Sequence, residues 1–99
     1  MEKRVPHYSL TEIQGIVAGR GAKAFTKSAL DGGRSMGLTV TEMVAVIAEL
    51  GRRDFHKSMT TYADHTVWQD VYHATTEYGP AYVKFTFRED RVVISFKGR

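Results

Sequence analysis

Two runs near the end of the chain leave few options for its fold. Residues 81–88, AYVKFTFR, alternate without a break, with Ala81, Val83, Phe85 and Phe87 on one side and Tyr82, Lys84, Thr86 and Arg88 on the other. Residues 91–97, RVVISFK, do the same, setting Val92, Ile94 and Phe96 against Arg91, Val93, Ser95 and Lys97. A period of two marks a strand with one buried face. Only Glu89 and Asp90 separate the runs, so a two-residue hairpin is the simplest connection, although neither residue suits the positive φ angles of such turns. That connection predicts a register: Arg88 opposite Arg91, Thr86 opposite Val93, Lys84 opposite Ser95, and Tyr82 opposite Lys97. A slip of one residue would bury the polar set, which the apolar alternation forbids.

A third strand is expected over 66–72, TVWQDVY, joined to the hairpin through the turn-rich stretch ATTEYGP. Its facing is open. Val67, Gln69 and Val71 share one side, and Thr66, Trp68, Asp70 and Tyr72 the other; if the larger aromatics pack in the core, Gln69 joins Tyr82 and Lys97 on the polar face. The first half reads as helical. Ser9-Leu10-Thr11-Glu12 and Thr39-Val40-Thr41-Glu42 both fit the capping box, in which the hydroxyl takes a free amide of the first turn and the Glu reaches back. Leu10, Ile13, Ile16 and Val17 then share a face up to Gly19, and Met43, Val44, Ile47 and Leu50 do so up to Gly51. Between them Thr26 is placed to cap a short helix through Leu30, weakened by Gly32 and Gly33. The expected fold is α+β: short N-terminal helices packed on a twisted antiparallel sheet, as one domain over residues 1–99.

Composition narrows the function classes. The chain has no cysteine, which removes disulfides, thiolate metal sites and a Cys nucleophile and fits a reducing cytoplasm. MEKRVPHYSL has no apolar core of a signal peptide, and no later run is long enough to span a bilayer, so a soluble protein is expected. The net charge is +3, but residues 1–51 carry six Lys and Arg against five acids and residues 52–99 carry eight against six. Neither half is a basic block. Any phosphate site must come from a local constellation.

The stretch DFHKSMTTYADHTVWQDVY, residues 54–72, supplies half of one, and the hairpin register supplies the other half. Lys57, Gln69, Tyr82 and Lys97 are the candidate site, with Lys84 beside them and His7, His56, His65 and His73 in reserve. Lysines and a tyrosine around an amide suit a phosphodiester, because their ammonium groups hold a phosphate and stabilise the charge that builds in its transition state. RNA brings its own nucleophile in the 2′-hydroxyl, so the chemistry requires no metal or other cofactor. Free Tyr and Lys titrate near 10 and about 10.4, which is high for a base at neutral pH; clustered cations would lower both. His56, His65 and His73 with Asp64 match no compact ligand spacing, so no metal site is expected. Phe55, Tyr62 and Tyr78 are packing residues first and base-stacking candidates second.

The opening MEKRVPH, the middle run DFHKSMTTYADHTVWQDVY and the closing strand ISFKGR resemble the motility quorum-sensing regulator family, toxins of bacterial toxin–antitoxin pairs. The resemblance runs the length of the chain, with looser agreement over 14–50 and 73–80. It implies a RelE-like toxin fold and a sequence-specific endoribonuclease that cuts mRNA without the ribosome, at GCU-type sites. It implies as partner a cognate antitoxin with a zinc-binding half and a helix-turn-helix DNA-binding half. The zinc would belong to that partner, and the toxin alone is not expected to bind DNA sequence-specifically. Residue by residue, the lysine of KSMTTY is Lys57, followed in the same motif by Met59. The glutamine of WQDVY is Gln69, the tyrosine opening the penultimate strand is Tyr82, the lysine ending the SFK strand is Lys97, and the histidine of the PH pair is His7. Register and resemblance together give Lys57, Gln69, Tyr82 and Lys97 as the expected catalytic residues, with His7, His56, Met59 and Lys84 expected in RNA contact or an auxiliary role. The family carries an aromatic, usually Tyr, before the motif lysine. His56 stands there instead, which bears on pH dependence and base preference. Attack of the 2′-hydroxyl on the adjacent phosphate is the expected mechanism, with Lys57 and Lys97 on the phosphate and Tyr82 in proton transfer. A non-catalytic nucleic-acid-binding module and a protein-interaction module are the alternatives.

Overall fold

The computed structural model describes residues 1–88 and 91–99. Five strands form one antiparallel sheet in chain order: β1 Glu2–Lys3, β2 Phe55–Thr60, β3 Trp68–Thr76, β4 Gly79–Arg88 and β5 Arg91–Gly98. Three helices, α1 Leu10–Arg20, α2 Lys27–Met36 and α3 Val40–Ala48, lie between β1 and β2 in sequence. They cover one face of the sheet. Ile13, Val17, Ala29, Met43 and Ile47 form one core with Tyr72, Ala74, Ala81, Val83, Phe85, Ile94 and Phe96. This is the expected α+β arrangement, and the other face of the sheet is left open.

The last hairpin has the predicted register throughout: Tyr82 pairs with Lys97, Lys84 with Ser95, Thr86 with Val93 and Arg88 with Arg91. The two-residue turn expected at Glu89 and Asp90 lies outside the described residues. The third strand differs from expectation. It starts at Trp68 and runs to Thr76, so the stretch read as a loop is the tip of a second hairpin, closed by Glu77 and Tyr78. β-branched Thr75 and Thr76 extend the strand. The Thr76 hydroxyl donates to the Gly79 carbonyl at 2.7 Å and accepts from the Tyr78 amide at 3.1 Å, and Gly79 takes a φ of 110° that a side chain would resist.

Ser9, Thr26 and Thr39 cap the three helices, accepting from the amides of Glu12, Ala29 and Glu42 at 3.2, 3.0 and 3.1 Å. The reciprocal bond, from the Thr39 amide to Glu42 Oε1 at 2.9 Å, makes the cap of α3 a full box. Two expected stops move. Helix α1 continues through Gly19 to Arg20. Helix α3 closes at Ala48, short of Gly51, and the Gln14 side-chain amide donates to the carbonyls of Ile47, Ala48 and Leu50 at that end.

Helix α2 does not end at Leu30. It passes through both glycines to Met36 and stops at Gly37, whose φ of 94° is left-handed. The glycines serve packing. A Cβ on Gly32 would overlap the carbonyl oxygen of Phe96 in β5, and one on Gly33 would overlap the Met43 side chain in α3. Their absence of side chain lets α2 lie directly on the sheet edge and on its neighbouring helix. Gly15 in α1 has nothing within 4 Å of the same position. Gly15→Ala is therefore expected to stabilise the fold by about 0.5–1 kcal/mol. Gly32→Ala should destabilise it by roughly 1–3 kcal/mol, because backbone must move. Urea unfolding of the two variants checks both signs.

The N-terminal segment is tied down by a buried acid. Asp70, on the core face of β3, is fully buried and accepts from the backbone amides of His7 at 3.0 Å and Tyr8 at 2.9 Å. The Tyr8 hydroxyl donates to the Trp68 carbonyl at 2.8 Å, and the Met1 amino group donates to Thr60 Oγ1 at 3.0 Å. These bonds seat the two-residue strand β1 on the edge of β2, with Glu2 opposite Met59. Burial, with the Asp70 charge second, pushes the neighbouring Tyr72 hydroxyl up to about 12.

Candidate active site

A bulge in β2 builds the open face. Phe55 pairs with Tyr72 and Lys57 with Val71, so His56 is an extra residue between them. In an unbroken strand, residues 55 and 57 would share a face. The bulge instead sends Phe55 to the core, where it meets Tyr72 edge-on at 5.5 Å, and leaves both His56 and Lys57 on the open side.

Strand pairing then sets these side chains in transverse rows. One row runs from His56 through His73 and Tyr82 to Lys97. The next runs from Lys57 through Val71 and Lys84 to Ser95. A third begins with Glu2, Met59 and Gln69. His56, Lys57, Met59, Val71, Tyr82 and Lys84 line a shallow depression of about 230 Å³ where the rows meet. Lys97 stands directly across from Tyr82, and Gln69 directly across from Met59, so both flank it.

Ring contacts fix the first row. The imidazoles of His56 and His73 stack with centroids 4.2 Å apart and planes 26° apart, and His73 meets the Tyr82 ring edge-on at 5.1 Å. The Arg99 guanidinium lies 5.1 Å from the centroid of the same Tyr82 ring. His73 Nε2 is buried with no hydrogen-bond partner among the described residues. Burial lowers the His73 pKa from the ordinary imidazole value, and Arg99 and His56 lower it further. In the second row, Lys57 Nζ donates to Glu2 Oε1 at 2.8 Å, and that bond holds the Glu2 carboxyl below the usual carboxylate range.

The structure thus gathers Lys57, Tyr82, Lys84, Met59 and His56 at the depression, with Gln69 and Lys97 at its rim. It does not bring His7 there. His7 stacks on Trp68 at 5.3 Å, and Lys3 Nζ bonds its Nδ1 at 2.8 Å and sits 4.3 Å from the Trp68 ring centroid. Trp68 and Asp70 are on the helix side of β3, opposite to Gln69, so His7 belongs to the far face of the sheet. Burial first and Lys3 second lower its pKa. His65 and Asp64 lie in the β2–β3 loop, and no three His, Asp or Glu side chains converge among the described residues.

Two residues of the face, Glu2 and Arg99, were not singled out by sequence, and a third, His73, was held in reserve without a place on it. His73 was hidden by the strand boundary: once β3 continues past Tyr72, the alternation Gln69, Val71, His73 places it opposite Tyr82. Glu2 belongs to a strand too short to show a period. Arg99 follows β5 and reaches Tyr82 only through the fold.

A five-stranded antiparallel sheet with helices packed on one face and a cationic, imidazole-bearing open face is an α+β arrangement consistent with a RelE-like toxin fold. Comparison with known proteins narrows the class. The family described as motility quorum-sensing regulator, toxin of MqsA, matches residues 5–98. The mRNA interferase toxin MqsR of Escherichia coli (strain K12) is 44% identical over 97 residues, covering 98% of both chains. The chain belongs to the motility quorum-sensing regulator family.

Proposed function

We propose that this chain, working as one domain, is the toxin of a type II toxin–antitoxin pair, an endoribonuclease that cuts mRNA and so arrests translation and growth. The observation that carries the reading is the depression itself. It brings Lys57, Lys84 and Tyr82 together on an open face, with Lys97 across the strand from Tyr82. The name of the 44% identical relative supports the same activity.

Lys57 and Lys97 hold the scissile phosphate and neutralise the charge that builds on its oxygens. Phosphate competes with the Glu2 carboxylate for Lys57 as it enters. The 2′-oxygen of the preceding ribose attacks phosphorus, and the P–O5′ bond breaks. Tyr82 gives its phenolic proton to the leaving 5′-oxygen. Gln69 and Met59, facing each other, orient the phosphate and an adjacent base. The products are a 2′,3′-cyclic phosphate and a 5′-hydroxyl. The cut is ribosome-independent and falls at GCU-type sites, the toxin acts in the cytoplasm, and its antidote is a zinc-binding helix-turn-helix antitoxin. Among the described residues no helix is long and apolar enough to cross a membrane.

Incubation of the purified protein with a defined RNA in EDTA, followed by mapping of the product ends, tests the reading. Cuts bearing cyclic phosphate are expected. Retention of RNA with a steep salt dependence and no scission would instead indicate a non-catalytic RNA-binding module.

A further inference from the structure

We propose that His56, held in place by its stack on His73, is the base that takes the proton from the attacking 2′-hydroxyl. The inference rests on the ribonuclease reading and adds the one element which that reading lacks. Lysine and tyrosine side chains titrate near 10 or above and are in the protonated form at neutral pH, which suits phosphate binding and proton donation. Imidazole is the side chain whose charge changes between pH 5 and 8. His56 is the imidazole among the residues lining the depression.

Its position follows from the bulge. A base for the 2′-hydroxyl must stand beside the cation that holds the adjacent phosphate, and the bulge puts His56 next to Lys57 on one face where a regular strand would send them to opposite faces. The stack at 4.2 Å then fixes the ring plane, and the edge contact from His73 to Tyr82 at 5.1 Å ties base and acid into one row. His73 is a positioning residue. Burial, with Arg99 and His56 after it, lowers the pKa of its own ring, which disfavours a second charge beside the proton that His56 gains. The charged and titratable groups around His56 are Lys57 on its own strand with Glu2 of β1 bonded to it, His73 on β3, Tyr82 and Lys84 on β4, Lys97 on β5, Arg99 beyond it, and Arg4, whose guanidinium reaches the His56 carbonyl at 3.5 Å. In the step itself the 2′-oxygen bonds to phosphorus as its proton passes to a His56 ring nitrogen, and the ring later returns that proton to solvent.

The test is the pH–rate profile of the full chain on a short defined oligoribonucleotide, for the wild type, His56→Gln, His56→Ala and His73→Gln. The wild-type rate is expected to rise with pH through the imidazole range. Both His56 variants should lose that rise and about 10²-fold or more in kcat, while binding a 2′-deoxy analogue as the wild type does. Added imidazole should restore part of the His56→Ala rate. His73→Gln should keep the rise but displace it. Circular dichroism verifies the fold, and the near-isosteric Gln variant guards against a misfolded Ala variant. A wild type that cuts RNA with no rise between pH 5 and 8, or a folded His56→Gln variant that keeps the wild-type rate and profile, overturns the assignment while leaving the ribonuclease reading intact. A wild type that cuts RNA at no pH overturns both.

Discussion

Lys57→Ala and Lys97→Ala should each slow RNA cleavage by about 10²–10³-fold, the usual cost of removing one group aimed at developing transition-state charge. Neither change should unfold the protein. Lys97 is exposed, and Lys57 has its recorded polar contact with Glu2, a surface ion pair of the kind that adds little to stability. Single-turnover rates on a defined oligoribonucleotide separate the two lysines from their neighbours. Lys57→Arg keeps the charge but replaces a compact ammonium with a broad planar fork in a depression of about 230 Å³, so it should recover only part of the loss. Each alanine variant should also flatten the salt dependence of RNA binding by about one phosphate contact. Wild-type cleavage rates in both alanine variants would remove these lysines from the chemistry and the open face from the mechanism.

The open face was legible in sequence because alternation is a long-range signal when the strands are regular. Eight residues of strict period in AYVKFTFR and seven in RVVISFK specified which side of each strand is polar, and a two-residue gap specified the register. From these, Tyr82 opposite Lys97 follows without any coordinates. Failure came where periodicity breaks. β2 carries a bulge, and a bulge inverts the pattern after one residue, so FHKSM reads as neither a clean strand nor a helix. The pairing of His56 with Lys57 on one face is invisible until the partner strand shows that Phe55 and Lys57 lie on opposite sides. His7 entered through the resemblance and not through a strand pattern. The carboxylate of Asp70 takes the amides of residues 7 and 8 on the core side and carries the His7 ring to Trp68, which no local pattern announces. Gly32 and Gly33 misled through propensity: a helix tolerates them when the close approach they permit to Phe96 and Met43 offsets their cost.

The largest effect on stability is expected at Asp70, a residue that touches no substrate. Its carboxylate is fully buried on the core face of β3 and accepts from two backbone amides of the N-terminal segment. Asp70→Ala leaves those amides without an acceptor and exchanges charge-assisted bonds for a small void. Such bonds contribute roughly 1.5–3 kcal/mol each, and the segment can recover some hydration as it lifts, so a loss of about 2–4 kcal/mol follows. For a chain of this size that lowers Tm by roughly 10–25 °C. The damage should begin locally. β1 has two residues, and once Asp70 releases His7 and Tyr8 the strand is left with its own ladder, the bond from the Met1 amino group to Thr60 and the surface contacts of Glu2 with Lys57 and Lys3 with Trp68. Hydrogen exchange should therefore speed up at Glu2 and Lys3 before the core strands respond. Trp68, the single tryptophan, reports the same event, because lifting the segment removes the His7 ring stacked on it at 5.3 Å. Asp70→Asn keeps one acceptor oxygen and should fall between the two. Active-site chemistry should respond less than stability, since Glu2 is the member of the open face that the segment carries, and its departure frees Lys57 for phosphate. A folded Asp70→Ala variant that melts at the wild-type temperature with unchanged exchange in β1 would show that the buried carboxylate anchors nothing.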